Sequence, residues 1–283
     1  MKKNNNIIVL GANGFIASNL KDLVLKKKKK INFISSKELD LTKKNSFKIL
    51  SKKIQPNCKV IFIAAKAPVK NIEMLIENIK ILNNVSKALQ KKKISQLIYI
   101  SSDAVYSDSK FKIRENFNRE PDNLHGMMHV LRENYLKNLF SKKLCILRPT
   151  LIYGKDDPHN GYGPNKFIRL IKNNEDVYLF GKGEELRDHI HIYDVVKIIY
   201  YSIVKNITGE YTLATGSVIS FYDIANIIKK TYKSKSKIKF KKRVGKMPHG
   251  GYRSFDIKKL RNKFKKFNFI KINDKNKNYL NVW

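Results

Sequence analysis

Cysteine, acidic residues and long apolar runs are all scarce in this chain. Cys58 and Cys145 are the only cysteines in 283 residues. They form no spaced cluster, which argues against a disulfide framework or a cysteine-ligated metal site. Cys145 lies in the apolar run 144–147 and reads as a small buried hydrophobe. No apolar run reaches the roughly 18 residues that would suggest a transmembrane helix. The basic opening Met1-Lys2-Lys3 is followed only by Ile7 to Leu10 before Gly11, too short for the core of a signal peptide. A location in the reducing cytoplasm is expected. Repeats and low-complexity linkers are also missing. The length therefore suits one large domain or two intimate ones, with the smaller C-terminal portion packed on the first.

Acidic residues number 23 against 59 lysines and arginines, a formal charge of +36. Such an excess ordinarily points to nucleic acid, but its distribution here does not. The lysines fall in dispersed groups at 26–30, 91–93, 142–143 and 233–242. The first three groups each precede an apolar strand at the end of an expected helix, where lysine complements the helix dipole. Asparagine and isoleucine are abundant alongside, as when base composition sets the surface. Aromatic residues are not interleaved with the lysines along the chain, as a stacking platform would require. The charge reads as a solvated face, with no nucleic-acid partner expected and 233–242 as the candidate stretch for anion contact.

What the chain does contain is a strand, a glycine turn and a helix start near its beginning. Ile7 to Leu10 are apolar without alternation, as in a parallel strand covered on both faces. Gly11 allows a tight turn, Gly14 lets a ligand approach the backbone, and Ala17 permits close helix–strand packing. The helix that follows would offer free amides and its positive dipole end to a pyrophosphate. Gly11, Asn13, Gly14, Phe15 and Ile16 are thus the expected contacts of a dinucleotide. Further along, strand signals at 31–34, 60–64, 97–101 and 144–147 alternate with helical signals near 17–26, 44–53, 74–90 and 127–140. This pattern implies an α/β fold, a doubly wound parallel sheet with helices on both faces. In 74–90 the apolar positions 74, 75, 79, 82, 85 and 89 make one stripe, expected to be buried. After Pro149 come a polar, glycine-rich loop, a short helix at 166–172, a strand at 177–180, a strand–helix return at 189–201, a helix at 221–231 and a basic, loop-rich tail.

These residues together resemble the extended short-chain dehydrogenase/reductases, the NAD-dependent epimerases, dehydratases and reductases of sugar nucleotides. Gly11, Gly14 and Ala17 match the glycine fingerprint. Asp40, with Leu41 beside it, resembles the acidic position supporting the adenine, Ala64-Ala65 the strand end beside the cofactor, and Asn78 the following helix residue. The stretch from Ser101 to Tyr106 resembles the strand bearing the catalytic hydroxyl. Gly181 through Asp194 resembles the segment whose arginine, here Arg187, meets the nucleotide diphosphate. The resemblance implies a dinucleotide-binding Rossmann domain over 1–154, with 186–204 returning to it, and a smaller C-terminal α/β substrate-binding domain over 155–185 and 205–283. A nucleotide-sugar substrate and a homodimer are implied as well. At the end of the second strand, Ser35, Ser36 and Lys37 stand where NAD enzymes carry a carboxylate. The cofactor reading therefore leans to NADP over NAD, although Lys37 also suits plain solvent and Glu38 could turn back to the ribose.

The family's Tyr-x-x-x-Lys pair, in which lysine lowers the tyrosine pKa for proton exchange, is His125-x-x-x-His129 here, with Arg132-Glu133 following. Three readings stay open. His125 is the general acid/base, paired with Ser102, while His129 bonds the ribose. Alternatively the pair is vestigial and the protein binds cofactor without turnover, as a sensor. Or the two histidines, at i and i+4, share a metal, although no third ligand is evident. Asp103 follows Ser102 as a second catalytic candidate or a turn cap, but no Glu follows it, which disfavours 4,6-dehydration. Arg187 and Arg253 are the candidate diphosphate ligands. Asn165 and His159, in the loop 156–165, are further substrate candidates. The family's frequent substrate-contacting Asn is Leu151 here.

Overall fold

The computed structural model describes residues 7–27, 31–158, 160–265 and 267–272. In chain order its elements are β1 (Ile7–Leu10), α1 (Phe15–Lys26), β2 (Asn32–Ile34), α2 (Ser46–Lys53), β3 (Lys59–Phe62), α3 (Ile72–Gln90), β4 (Gln96–Ile100), α4 (Leu124–Phe140), β5 (Leu144–Pro149), β6 (Leu151–Tyr153), α5 (Pro164–Lys172), β7 (Val177–Phe180), β8 (Leu186–His191), α6 (Ile192–Val204), β9 (Gly209–Leu213), β10 (Val218–Ser220), α7 (Phe221–Tyr232), β11 (Ile238–Lys241), β12 (Tyr252–Arg253) and α8 (Lys258–Lys263). Among the described residues no helix is long and apolar enough to cross a membrane. The chain divides into two compact units, one within Met1–Ser107, Phe117–Pro149 and Val195–Tyr211, the other within Asp108–Asn116, Thr150–Asp194 and Thr212–Trp283.

The first unit is built on a six-stranded sheet of order β2-β1-β3-β4-β5-β9. β1 pairs in parallel with β2 and β3, β3 with β4, and β4 with β5. Every residue of β3, β4 and β5 is buried, the mark of strands covered on both faces. Ile8, Val60, Phe62, Leu97 and Tyr99 meet Leu50, Val85 and Leu89 of the helices in one core. This is a doubly wound α/β fold. Its strand order reverses at β1, with β2 on one side and β3 on the other, and open α/β sheets bind ligands at such a switch point.

One expectation needs correction in α3. Ile79 of the expected stripe is 40% exposed, whereas Asn78 is wholly buried. The buried face runs through Asn78, Ile81, Leu82, Val85, Ala88 and Leu89, because Asn78 finds polar partners inside that more than offset its polarity.

In the second unit, β8 lies between β10, antiparallel to it, and β12, parallel to it; β6 also pairs with β8 in parallel. Within the expected return of 186–204, β8 and the chain to Asp194 fall in the second unit, and the first unit resumes at Val195. The first unit also ends at Pro149 rather than 154, and lacks 108–116. The basic tail is more ordered than a loop-rich reading implies, since β11, β12 and α8 lie in it. β11 pairs with β7 in parallel, Lys239 opposite Tyr178 and Lys241 opposite Phe180. Lys241 Nζ lies 4.1 Å from the Tyr178 ring centre, and Phe240 stacks on Tyr222. Aromatics and cations separated along the chain are thus interleaved in space, a neighbourhood that linear spacing does not reveal.

Candidate functional site

The glycine turn joins β1, β2 and β3. Gly11 has a φ of 101°, and a Cβ there would stand 2.8 Å from Ala64 N, so only glycine allows the approach. The amides of Gly11 and Ala12 both donate to Ile34 O, at 3.1 Å each. Gly14 caps α1 without a side-chain acceptor, and no acidic residue lies in the first turn. The first amides of α1, those of Phe15, Ile16 and Ala17, precede the first helical acceptor, whereas the Ser18 amide donates to Gly14 O at 2.9 Å. Asn13 and Gly14 are exposed beside them. Such an uncapped helix start behind a turn without side chains fits a dinucleotide's diphosphate.

At the end of β2, Ser35 Oγ accepts from Glu38 N and Lys37 is exposed. Glu38 is engaged by Lys53 at 2.7 Å. Asp40 accepts from Thr42 N at 2.9 Å and Thr42 Oγ1 at 2.7 Å. The hydroxyl and amide of Thr42 hold its carboxyl below the usual carboxylate range. Leu41 is buried behind it, and Ala64 and Ala65 are half-buried.

Beyond β4, Ser102 Oγ accepts from Ala104 N at 3.1 Å and so caps the 3-10 turn Asp103–Val105. The capping role expected of Asp103 thus belongs to the side chain of Ser102. α4 packs directly on this turn, because a Cβ at Gly126 would lie 2.2 Å from Ala104 O. His125, beside Gly126, is half-buried, and its Nδ1 is buried without a partner. Burial holds the His125 imidazole below its ordinary value; Asp103 pulls it up and Arg132 pushes it down. His129 is 5% exposed, and its ring stands edge-on to that of His125 with centroids 4.8 Å apart. Burial above all, then His125 and Arg132, keeps His129 well below the usual imidazole range. Among the described residues no group of three His, Cys, Asp or Glu side chains could hold a metal ion.

Several residues around the pair escape sequence reasoning. Tyr99 Oη lies 2.6 Å from His129 Nδ1. Arg132, 1% exposed, donates to Ala64 O at 3.0 Å, Asn78 O at 2.9 Å and Asn78 Oδ1 at 2.8 Å. Asn78 in turn bonds both the amide and the carbonyl of Lys66. Glu133 is wholly buried and accepts from Arg148 Nε at 2.7 Å and Nη2 at 2.6 Å, and from Ser101 Oγ at 2.6 Å. Arg119 adds an ion pair at 3.1 Å. The bidentate pair with Arg148 fixes the register of α4 against β4 and β5. The Arg132-Glu133 dipeptide is a visible signal, but its partners come from distant segments.

In the second unit, the register of β12 on β8 sets Arg253 opposite Arg187. Both are nearly buried. Arg187 Nε donates to Glu185 Oε1 at 2.7 Å, and Arg243 reaches the other oxygen of Glu185 at 3.4 Å. Arg253 Nη1 lies 3.2 Å from Asp108 Oδ1 and 3.1 Å from His249 Nδ1. Two expected anion ligands are thus brought side by side, each already oriented by a carboxylate. Asn165 accepts from Gly154 N at 3.0 Å and donates to Asp157, so it orders its own loop. Leu151 is 45% exposed. His159 lies outside the described residues.

A model of the NAD dependent epimerase/dehydratase family matches residues 7–214. The ADP-L-glycero-D-manno-heptose-6-epimerase of Brachyspira hyodysenteriae is 31% identical over 174 residues, 58% of this chain and 54% of the relative. The match therefore spans about half the length of that relative. The UDP-glucose 4-epimerase of Thermus thermophilus, solved in complex with NAD, superimposes with a TM-score of 0.80 at 17% identity, over 98% of this chain and 97% of the other. A GDP-L-fucose synthetase from Naegleria fowleri, solved bound to NADP, gives 0.79 at 18% identity, over 96% and 90%. At such identities the two structures establish the fold.

Proposed function

The chain belongs to the NAD dependent epimerase/dehydratase family, and from that membership we propose that it is an NAD(P)-dependent epimerase or reductase of a nucleotide-linked sugar. The observation that carries the reading is His125, held by Gly126 against the turn that Ser102 caps, where burial keeps its imidazole below the ordinary value. A bound nicotinamide dinucleotide would supply hydride exchange at the sugar carbon. The amides of the Gly11–Ala17 turn and helix start would hold its diphosphate, with Asp40, Ala64 and Ala65 beyond the neighbouring strand ends and Asn78 on α3. Ser102 orients the sugar oxygen through its hydroxyl proton, since its oxygen already accepts from Ala104 N. His125 takes or returns the proton at that oxygen. His129 bonds the ribose. Arg187 and Arg253 bind the nucleotide diphosphate of the substrate, their paired register matching two adjacent phosphates.

NADP is the favoured cofactor. Glu38 is occupied by Lys53, which leaves Ser35 and the exposed Lys37 at the ribose end of β2. The test is a thermal-shift titration with NADP and NAD, followed by turnover of a nucleotide-sugar panel by the wild type and His125→Ala. NADP should raise the melting temperature more than NAD. His125→Ala should lower kcat by about a hundredfold or more. Full turnover in His125→Ala would remove His125 from the chemistry. Cofactor binding with no turnover of any nucleotide sugar would mark a binding protein instead.

A further inference from the structure

We propose that Tyr99 and Arg132 are positioning residues that fix His129 in the tautomer carrying its proton on Nε2, so that α4 presents a hydrogen-bond donor rather than a cation beside His125. The tautomer follows from the structure alone; only its consequence for His125 rests on the activity proposed above.

The starting point is the 2.6 Å contact between Tyr99 Oη and His129 Nδ1. Only one of these atoms can supply the proton. Tyr99 is 1% exposed, and burial raises its phenol above the ordinary value, so the hydroxyl keeps its hydrogen. No other acceptor for that hydrogen is found among the described residues. The Arg132 guanidinium, whose positive charge acts on this hydroxyl, has donors and no acceptor. Were His129 to donate from Nδ1, the phenol hydrogen would have to point at a cation or at nothing. A buried unpaired donor disfavours that arrangement by roughly tenfold to a hundredfold. Tyr99 therefore donates, His129 Nδ1 accepts, and the imidazole proton sits on Nε2.

Arg132 can impose this polarity because it is itself immobilised. Ala64 O, Asn78 O and Asn78 Oδ1 take three of its hydrogen bonds, and its charge stands 5.1 Å from the centre of the Phe62 ring. Its Nε is buried with no partner. The permanent positive charge thus lies one helical turn beyond His129, in the interior. The place where the family carries a lysine ammonium holds a neutral donor, edge-on to His125. The displaced charge still reaches His125 and helps keep that imidazole free to accept a proton.

The experiment is a long-range proton–nitrogen correlation spectrum of the full chain labelled with nitrogen-15 in histidine, without cofactor or substrate. His129 signals are assigned by their loss in His129→Gln. The expected wild-type result is a neutral ring protonated on Nε2. In Tyr99→Phe, which keeps the ring and removes the hydroxyl, the expected result is a mixture of both tautomers. Arg132→Met should shift the population the same way if it folds; Tyr99→Phe decides the matter if it does not. A wild-type His129 protonated on Nδ1 or on both nitrogens, or a Tyr99→Phe spectrum identical to wild type, overturns the proposal. A protein that shows the expected tautomer yet turns over no nucleotide sugar would refute the proposed activity and leave this device standing.

Discussion

A histidine can serve as a base at neutral pH only while it is unprotonated, and at position 125 three influences share control of that state. Burial and the Arg132 cation hold the imidazole below its ordinary value, and Asp103 alone pulls upward. The sign of the Asp103→Asn effect follows. Without the carboxylate, protonated His125 loses its counter-charge, so protonation requires a lower pH. With His125 as the proposed base, the acid limb of the kcat/KM profile, where that imidazole gains a proton, should move to lower pH. A limb that stays in place or moves up would separate Asp103 from His125. His129 responds to the same cation and is mostly buried, so its charge state should not contribute a limb near neutrality.

Among the secondary-structure elements, α4 is the one whose placement matters most, and two contacts set it. Gly126 allows it to touch the 3-10 turn after Ser102, and Glu133 ties its middle to Arg148 on β5 and to Ser101. In Glu133→Gln the buried Arg148 and the half-buried Arg119 lose their shared counter-charge, while Glu210 still pairs with Arg148. Breaking a buried pair in this way costs about 3 kcal/mol, which in a chain of this size is a fall in melting temperature on the order of 8 °C. A calorimetric scan showing less than about one degree of change would mean that α4 is held otherwise. The existence of α4 and the positions of its histidines are legible in the sequence. The buried face of α3 is legible only in part. Apolar spacing points to Ile79, but Asn78 takes the inward place because hydrogen-bonding partners wait there for an amide and none for a methyl group.

For the whole molecule, the formal charge is +36. The lysines and the aromatic rings of β7, β11 and α7 make a surface that any polyanion can approach. Purely electrostatic contact of this kind releases counterions and weakens steeply with salt. Binding of a single-stranded oligonucleotide, measured by fluorescence anisotropy, should fall by about a hundredfold or more between roughly 50 and 200 mM salt, as several phosphate contacts would require. Affinity that persists across that range would assign the basic surface a specific partner.

Whatever depends on neighbours along the chain can be read from residue order. The strand, turn and helix of the Gly11–Ala17 segment, the i and i+4 spacing of His125 and His129, and the alternation of strand and helix are of this kind, since local geometry alone sets them. What those residues meet is a property of the folded chain. Tyr99 reaches His129 from a different element, Arg132 finds carbonyls on two other segments, and Arg253 lies opposite Arg187 only because β12 pairs with β8 in that register. Strand order and register bring such groups together through the packing of the whole core, which no short window of sequence contains. The lowered proton affinities of His125 and His129 belong to that second category, because burial and distant charges set them.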